Sequence, residues 1–289
     1  MSFPVLLAAS FHVPAHHMGL SPGLVWSAAV LIALMYAIRS ARRSGLDPRH
    51  MYWAVVCAIV GGFWGSHLLS LLVHGWSGGV MALFQFVQGG KSLYGGLVAG
   101  GVAAELYFHF RRLPRFRYRD AAMPALALGY AVGRVGCFLN GDDYGTLTRV
   151  PWAVVYPPGT EAYQAHLARG WISAGDAWSL PIHPTQLYAS LLGLALFVLL
   201  ANCRPRRQGS RLCAYLVLYG IGRFSMEYLR GDFRAVLGPF SLPQLFSAAF
   251  ILTGMGIWLG WVRDSGTEKN VSQVSTEVAR ATCAVAQTM

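Results

Sequence analysis

Two arginines and a glutamate stand inside stretches that carry almost no other charge. Arg134 follows the uncharged run "AAMPALALGYAV" and belongs to "GRVGCFLNGDDYG", Gly133 to Gly145. Arg223 and Glu227 lie in "YGIGRFSMEYLRGD", Tyr219 to Asp232. Ionisable groups within apolar spans are costly, so each requires a reason. A guanidinium stays charged and presents a planar fork that fits a phosphate bidentately. Two of them at one depth would hold a phosphate, and a carboxylate beside them would orient an arginine or accept a proton. The alternative is structural. Arg223, Glu227 and Arg230 are spaced i, i+4 and i+7, one face of one helix, so an internal ion pair would lower the insertion cost of Arg223. That pairing leaves Arg134 without a partner, because Asp142 lies eight residues on and beyond the helix end.

The elements that position these groups follow from composition. The chain of 289 residues is 55% hydrophobic and 12% charged, with mean hydropathy +0.44. A soluble domain carries roughly a quarter charged residues, so this composition belongs to a membrane protein. Seven apolar stretches are long enough to span the bilayer as helices, near Leu20–Ile38, Met51–His74, Ser92–Phe110, Ala121–Leu139, Thr185–Cys203, Leu212–Leu229 and Phe240–Val262. Alternating ten-residue segments of a β-barrel are not evident. Basic connections (Arg39 to Arg49; Arg111 to Arg119; Arg204 to Arg211) alternate with poorer ones. By the positive-inside rule the N-terminus faces out and the C-terminus faces the cytoplasm. The net charge of +11 is thus an insertion signal and needs no nucleic-acid partner.

This topology sets depth. The fourth and sixth spans run outward, which places Arg134, Arg223 and Glu227 in the outer leaflet. The third span starts outside, which puts Tyr94, Gly95 and Gly96 at its outer end. The natural anion there is a phospholipid head group, entering sideways with its tails in the bilayer. Gly95 and Gly96 would admit a lipid or a neighbouring helix closely. Tyr94 suits an interfacial anchor. His183 begins "HPTQLY", the turn into the fifth span, and fits a helix-entry hydrogen bond or a catalytic role. Cys137, one turn from Arg134, reads as a packing residue. Glu105 lies in the inner half of the third span with no evident task. His12, His16 and His17 read as a solvated terminus.

We expect one membrane domain over residues 1–262. It carries an ordered outer cap over 140–182, with one short strand and an amphipathic piece around Ala162–Trp171. A polar tail covers 263–289. No basic n-region suggests a cleaved signal peptide, and no cysteine pair has zinc-ligand or disulfide-framework spacing. No internal repeat suggests an inverted-repeat transporter.

Four motifs in order resemble those of the prolipoprotein diacylglyceryl transferases of bacterial inner membranes, over roughly Gly19 to Val262. "GRVGCFLNGDDYG" is similar to that family's Gly-Arg-x-Gly-Asn-Phe-x-Asn signature followed by Glu and Gly. "KSLYGGLVAG" is similar to a segment ending in His-Gly-Gly-Leu. "HPTQLY" and "YGIGRFSMEYLRGD" are similar to His-Pro-Ser-Gln-Leu-Tyr and Arg-Phe-x-x-Glu-x-x-Arg elements. The resemblance implies transfer of the diacylglyceryl group of phosphatidylglycerol to the lipobox cysteine thiol of a preprolipoprotein, with release of glycerol phosphate. It implies no metal or organic cofactor. Arg134 and Arg223 would hold the lipid phosphate and Glu227 would orient them. Asn140 and Gly145 fall on signature positions, as does Asp142.

The chain departs from the family pattern near the chemistry. Tyr94 stands where the family has a histidine, Cys137 replaces an asparagine and Asp142 replaces a glutamate. The family's Tyr-Gly of the first span appears as Trp26-Ser27-Ala28, and "VGGFWGSHLL" lacks the expected arginine. Three readings stay open: the family's transfer, a paralogue acting on another lipid, and a non-catalytic lipid-binding or transport protein.

Overall fold

A computed structural model describes residues 11–13, 22–74, 93–204, 207–232 and 235–260. Seven long helices occur among the described residues: α1 (Pro22–Arg43), α2 (Pro48–His74), α3 (Leu93–Phe110), α4 (Arg115–Asn140), α6 (Thr185–Asn202), α7 (Ser210–Met226) and α8 (Leu242–Gly260). A short helix, α5 (Glu161–Ala168), lies between α4 and α6. Two-stranded pairings join β1 (Phe11–His12) to β2 (Val154–Val155), and β3 (Ala235–Leu237) to β4 (Phe240–Ser241). Five of the helices, over Gly23–Arg43, Pro48–Leu72, Arg115–Asn140, Thr185–Asn202 and Leu242–Gly260, are long and apolar enough to cross a membrane. Their outward faces are apolar as well: Leu31, Met35, Leu72, Leu126, Leu191, Val198 and Leu252 are all exposed. Helices that are hydrophobic all round suit a lipid surround, and the protein is a helical integral membrane protein.

Helix α4 is the hub, packing against α1, α6 and α7, while α2 packs mainly against α3. Between α1 and α4 the core is built from Ala37, Ala41, Met51, Tyr118, Ala121 and Ala125. Glu105, which has no evident task in the sequence, closes the α3–α4 turn. Its carboxylate accepts from Arg115 at 2.9 Å and also pairs with Arg119.

The α2–α3 contact explains Gly95 and Gly96. Lipid gives helices no hydrophobic drive to associate, so small residues that bring backbones together take over. One stripe is Ala58, Gly62 and Ser66 on α2 facing Gly96 and Gly100 on α3. A Cβ on Gly96 would lie 3.1 Å from the Gly62 carbonyl oxygen, and one on Gly100 would lie 2.7 Å from that of Ala58. Gly95 is buried against Gly65 and Leu69. Overpacking of this kind costs about 1–3 kcal/mol. Gly100→Val is therefore expected to lower the thermal midpoint of the detergent-purified protein by several degrees. Gly101→Val, where nothing lies within 4 Å of the added Cβ, is expected to leave it unchanged.

The segment after α4 folds into a cap. Val13, Tyr144, Val154, Tyr156, Ala162 and Ile182 form its core. Thr160 caps α5 by accepting from the Tyr163 N–H at 3.4 Å. Of the N-terminal segment, Phe11 and His12 are exposed, as the sequence leads one to expect, but they are not without structure. Strand β1 runs parallel to β2, and His12 stands edge-on to Trp178 at 4.7 Å, because the cap offers an open strand edge at Val154–Val155. His16 and His17 lie outside the described residues.

Candidate active site

The site forms where the ends of α4 and α7 meet the cap. Helix α4 stops at Asn140 because Gly141 takes a left-handed conformation, φ +75°, and its N–H closes on the Cys137 carbonyl at 2.9 Å. Asp143 is left-handed too, at φ +54°, a conformation Asp tolerates better than most residues. These two turns fold the chain back over the helix end. The Asp143 carboxylate then meets Arg134, with Nη1 to Oδ2 at 2.5 Å. Arg134 is thus not unpartnered. Its partner is Asp143 and not Asp142, because the left-handed pair reverses the chain where a simple helix extension would carry it away. The Arg134 guanidinium also lies over the Tyr130 ring, 5.2 Å from its centroid.

The second arginine is held in the same way. Arg223 donates to Glu227 Oε2 at 2.5 Å, and Ser241 donates to Oε1 at 2.8 Å. Glu227 is 3% exposed. The expected single helix face through Arg230 is not present. The α-helix ends at Met226, Glu227–Leu229 tightens to a 3-10 turn, and Arg230 is extended. The reason is backbone pairing: Arg230 forms an antiparallel bridge with Gly145, and the Gly231 N–H donates to the Tyr144 carbonyl at 2.9 Å. Arg230 turns back to pair with Asp232, Nε to Oδ1 at 2.8 Å, and with Asp143, while its Nε stays 3.9 Å from Glu227 Oε2.

A continuous chain of charge results: Arg134, Asp143, Arg230, Glu227, Arg223. Residues from helices remote in sequence share it, and Tyr219 lies within electrostatic reach of both Arg134 and Arg223. Burial alone would raise the pKa of Asp143, but Arg134 and Arg230 outweigh it and hold it down to about 2. Asp142 is shifted the other way, chiefly by burial. Its Oδ2 accepts from Asn140 at 2.9 Å. Its Oδ1 is buried with no N–H or O–H donor among the described residues, and the Cys137 thiol lies beside the carboxylate. Cys137, Asp142 and Asp143 offer ligand atoms within 4.8 Å of one another. Two guanidiniums already neutralise Asp143, so the group presents a weak charge for a divalent cation.

The "HPTQLY" turn braces this arrangement. Thr185 Oγ1 donates to the Asp143 carbonyl at 2.9 Å and Gln186 Nε2 to the Asp142 carbonyl at 2.7 Å. The His183 N–H donates to the Thr146 carbonyl at 3.0 Å. Its ring Nδ1 pairs with the Tyr188 hydroxyl at 3.2 Å, and that hydroxyl itself accepts from Trp152 Nε1 at 2.6 Å. The Tyr188 O–H is left available to donate to His183 Nδ1 when the ring is neutral with its proton on Nε2. Burial lowers the pKa of His183. Gly145 runs between two backbones; a Cβ there would lie 2.8 Å from the His183 Cβ.

Of the site residues named from sequence, Arg134, Asn140, Asp142, Gly145, His183, Arg223 and Glu227 gather around the Gly141–Gly145 turn and the end of α7. Gly95 and Gly96 lie in the α2–α3 seam. The side chain of Tyr94 lies outside what is described. Asp143, Thr185, Gln186, Asp232 and Ser241 were not singled out for the site. For Asp143 a signal existed: an acid two residues after a helix-ending glycine, in a chain with an unpaired intramembrane arginine.

The cap has its own pH sensitivity. His166 is buried and accepts the Leu180 N–H at 3.1 Å through Nδ1, so it must be neutral. Burial, reinforced by the Arg169 cation, lowers its pKa to about 4. The unfolded chain takes up a proton near pH 6.5 while the folded cap does not, so stability falls as pH drops from 6.5 toward 4. The loss reaches at most about 3 kcal/mol. We expect the thermal midpoint to fall several degrees between pH 7.5 and 5, and His166→Gln to flatten that dependence.

Comparison with known proteins agrees with this geometry. A family model described as prolipoprotein diacylglyceryl transferase matches residues 20–260. Among similar proteins, the phosphatidylglycerol–prolipoprotein diacylglyceryl transferase of Symbiobacterium thermophilum is 31% identical over 245 residues, 83% of this chain and 87% of its own. That of Bordetella bronchiseptica is 33% identical over 242 residues, 78% and 86% of the two chains. That of Clostridium tetani is 26% identical over 241 residues, 82% and 90%. With the arginine–carboxylate chain assembled at one end of its helices, the protein belongs to the prolipoprotein diacylglyceryl transferase family.

Proposed function

We propose that the chain transfers the diacylglyceryl group of phosphatidylglycerol to the lipobox cysteine of preprolipoproteins, at the end of the bundle where α4 and α7 meet the cap. In this reading the chain sits in the bacterial inner membrane, crosses it seven times with the N-terminus outside, and carries the cap on the periplasmic face. The observation that carries the reading is the placement of Arg134 and Arg223, each fixed by a carboxylate, in one connected network where the helix ends meet the cap.

The reaction balances without a cofactor. The thiol sulfur bonds to the glyceryl carbon, and the bond from that carbon to the phosphate oxygen breaks. Glycerol phosphate leaves as a monoanion that has gained the thiol proton, and the thioether remains. Negative charge concentrates on the leaving phosphate as the bond breaks, and fixed guanidiniums oppose it without reorganising. Asp142, with its raised pKa and its buried, unpaired Oδ1, is the carboxylate suited to pass the proton. Arg134 and Arg223 would engage the phosphate through donors not spent on Asp143 and Glu227, with Asn140 holding Asp142 in place.

The test has two parts. The chain is expressed in a host depleted of its own diacylglyceryl transferase, where lipoprotein maturation and growth are expected to return. Purified protein is then given phosphatidylglycerol and a lipobox peptide, and glycerol phosphate is measured. A well-inserted chain that restores neither growth nor release removes this reading. Release from a different phospholipid would instead support a paralogue on the same scaffold.

A further inference from the structure

At the opposite end of the bundle a cavity of about 470 Å³ opens between α1, α4, α6 and α7. That volume falls within the range of about 300–1,000 Å³ usual for ligand sites. Five arginines line it, Arg39, Arg43, Arg117, Arg207 and Arg211, against one carboxylate, Asp120. Arg39 and Arg43 are one helical turn apart on α1, and Arg207 and Arg211 are four residues apart at the start of α7. Like charges one turn apart on a helix repel, yet Arg39 and Arg43 converge on the space that Arg117, Arg207 and Arg211 also line.

Asp120 lies within electrostatic reach of Arg211, one negative charge against several positive ones. Among the described residues, Arg39, Arg43, Arg117 and Arg211 form no ion pair with a carboxylate. Arg117 donates to the Ser44 carbonyl at 3.0 Å and Arg211 to the Cys203 carbonyl at 2.7 Å, contacts that fix direction and leave the charge in place. Asp120 is committed elsewhere: it accepts from the Gly209 N–H at 2.6 Å and the Leu212 N–H at 3.0 Å, capping α7. By contrast, Arg115 and Arg119, at the same end of the bundle, share Glu105. The inner wall is different in kind. Tyr36, Pro124 and Ala201 supply apolar surface, with Ser40 and Ser44 as small polar groups beside it. An arginine rim over an apolar floor matches a phosphate attached to something greasy. Basic pockets between helices on the cytoplasmic side bind anionic head groups.

We propose that this cavity is a second anion site, seating the phosphate of an anionic phospholipid head group from the leaflet opposite the transfer site. The leaflet assignment rests on the orientation given above; the chemistry of the cavity does not. The guanidinium forks of Arg39 and Arg43 clasp the phosphate, Arg207 and Arg211 close on it from α7, and the first acyl carbons lie along Tyr36 and Pro124. The lipid thereby ties α1 to α7 at the end remote from the chemistry.

Full-length protein in detergent is titrated with dioleoyl phosphatidic acid, with dioleoyl phosphatidylcholine and with inorganic phosphate, and bound species are read by native mass spectrometry. The parent is expected to retain one phosphatidic acid that Arg39→Ala/Arg43→Ala holds about tenfold more weakly. Phosphatidylcholine is expected to bind both alike. Transfer from phosphatidylglycerol by the double variant, within twofold of the parent, reports that it is folded. Arg39→Lys/Arg43→Lys keeps the charge and loses the fork, and a drop of about threefold gives the same readout if the alanine pair misfolds. Equal retention of phosphatidic acid by parent and both variants overturns the proposal and leaves the transfer reading untouched. A difference seen with inorganic phosphate and not with phosphatidic acid overturns the lipid source and assigns the cavity to a soluble phosphate.

Discussion

Arg134→Ala and Arg223→Ala are each expected to lower kcat for glycerol phosphate release by at least about a hundredfold, the scale on which one preorganised donor to a developing anion is lost. The two variants differ in what they leave behind. Removing Arg223 strands Glu227, a carboxylate that is 3% exposed and keeps only Ser241 and the more distant Arg230. Breaking a buried pair from one side costs about 3–5 kcal/mol, so Arg223→Ala is expected to lose thermal stability as well as activity. Removing Arg134 strands Asp143, whose side chain is 32% exposed and still paired with Arg230. Arg134→Ala is therefore the cleaner test, with stability nearly kept and turnover lost. Arg134→Lys restores a cation without the planar fork, and it should recover only part of the rate. Measuring kcat and KM for phosphatidylglycerol beside the thermal midpoint separates these outcomes. If Arg134→Ala turns over like the parent, Arg134 does not hold the leaving phosphate.

The site was legible where a charge contradicted its surroundings. Arg134, Arg223 and Glu227 stand out because an apolar run makes each an expense, and the Arg223–Glu227 pair followed from i, i+4 spacing alone. What could not be read was the path of the chain once a helix ended. Periodicity extends a helix indefinitely and so puts Arg230 on the face of Arg223, whereas backbone pairing with Gly145 takes it off the helix. The same blindness hid Asp143, because the reversal depends on two left-handed residues, Gly141 and Asp143. The α2–α3 seam shows the converse. Gly95 and Gly96 carried two meanings in the sequence, and only the facing Gly62 and Gly65 show that they admit a helix. Thr185 and Gln186 were hidden for a different reason: their hydrogen bonds cross more than forty residues to the carbonyls of Asp143 and Asp142.

Asp143→Asn is expected to cost turnover without costing substrate affinity, and this combination is what identifies a positioning residue. Asparagine tolerates the left-handed backbone at this position, so the substitution removes charge and little else. Alanine would add backbone strain and confuse the two. With the charge gone, Arg230 keeps its two-point contact with Asp232, but Arg134 loses the ion pair that fixes its guanidinium. Misplacement by about an ångström costs on the order of a hundredfold in well-oriented reactions, so kcat should fall between about tenfold and a hundredfold. KM for phosphatidylglycerol should hold or fall, because the variant removes a negative charge that competes with the lipid phosphate for the same arginines. The pH dependence of stability offers an independent check. Asp143 titrates at about 2 in the folded protein and near 3.9 when unfolded. It therefore contributes up to about 2 kcal/mol above pH 4, and this is lost as pH falls toward 2. Asp143→Asn should remove that acid-side slope and leave the slope below pH 6.5, to which His166 and His183 contribute. A raised KM at unchanged kcat would mean instead that Asp143 shapes binding and leaves Arg134 in place.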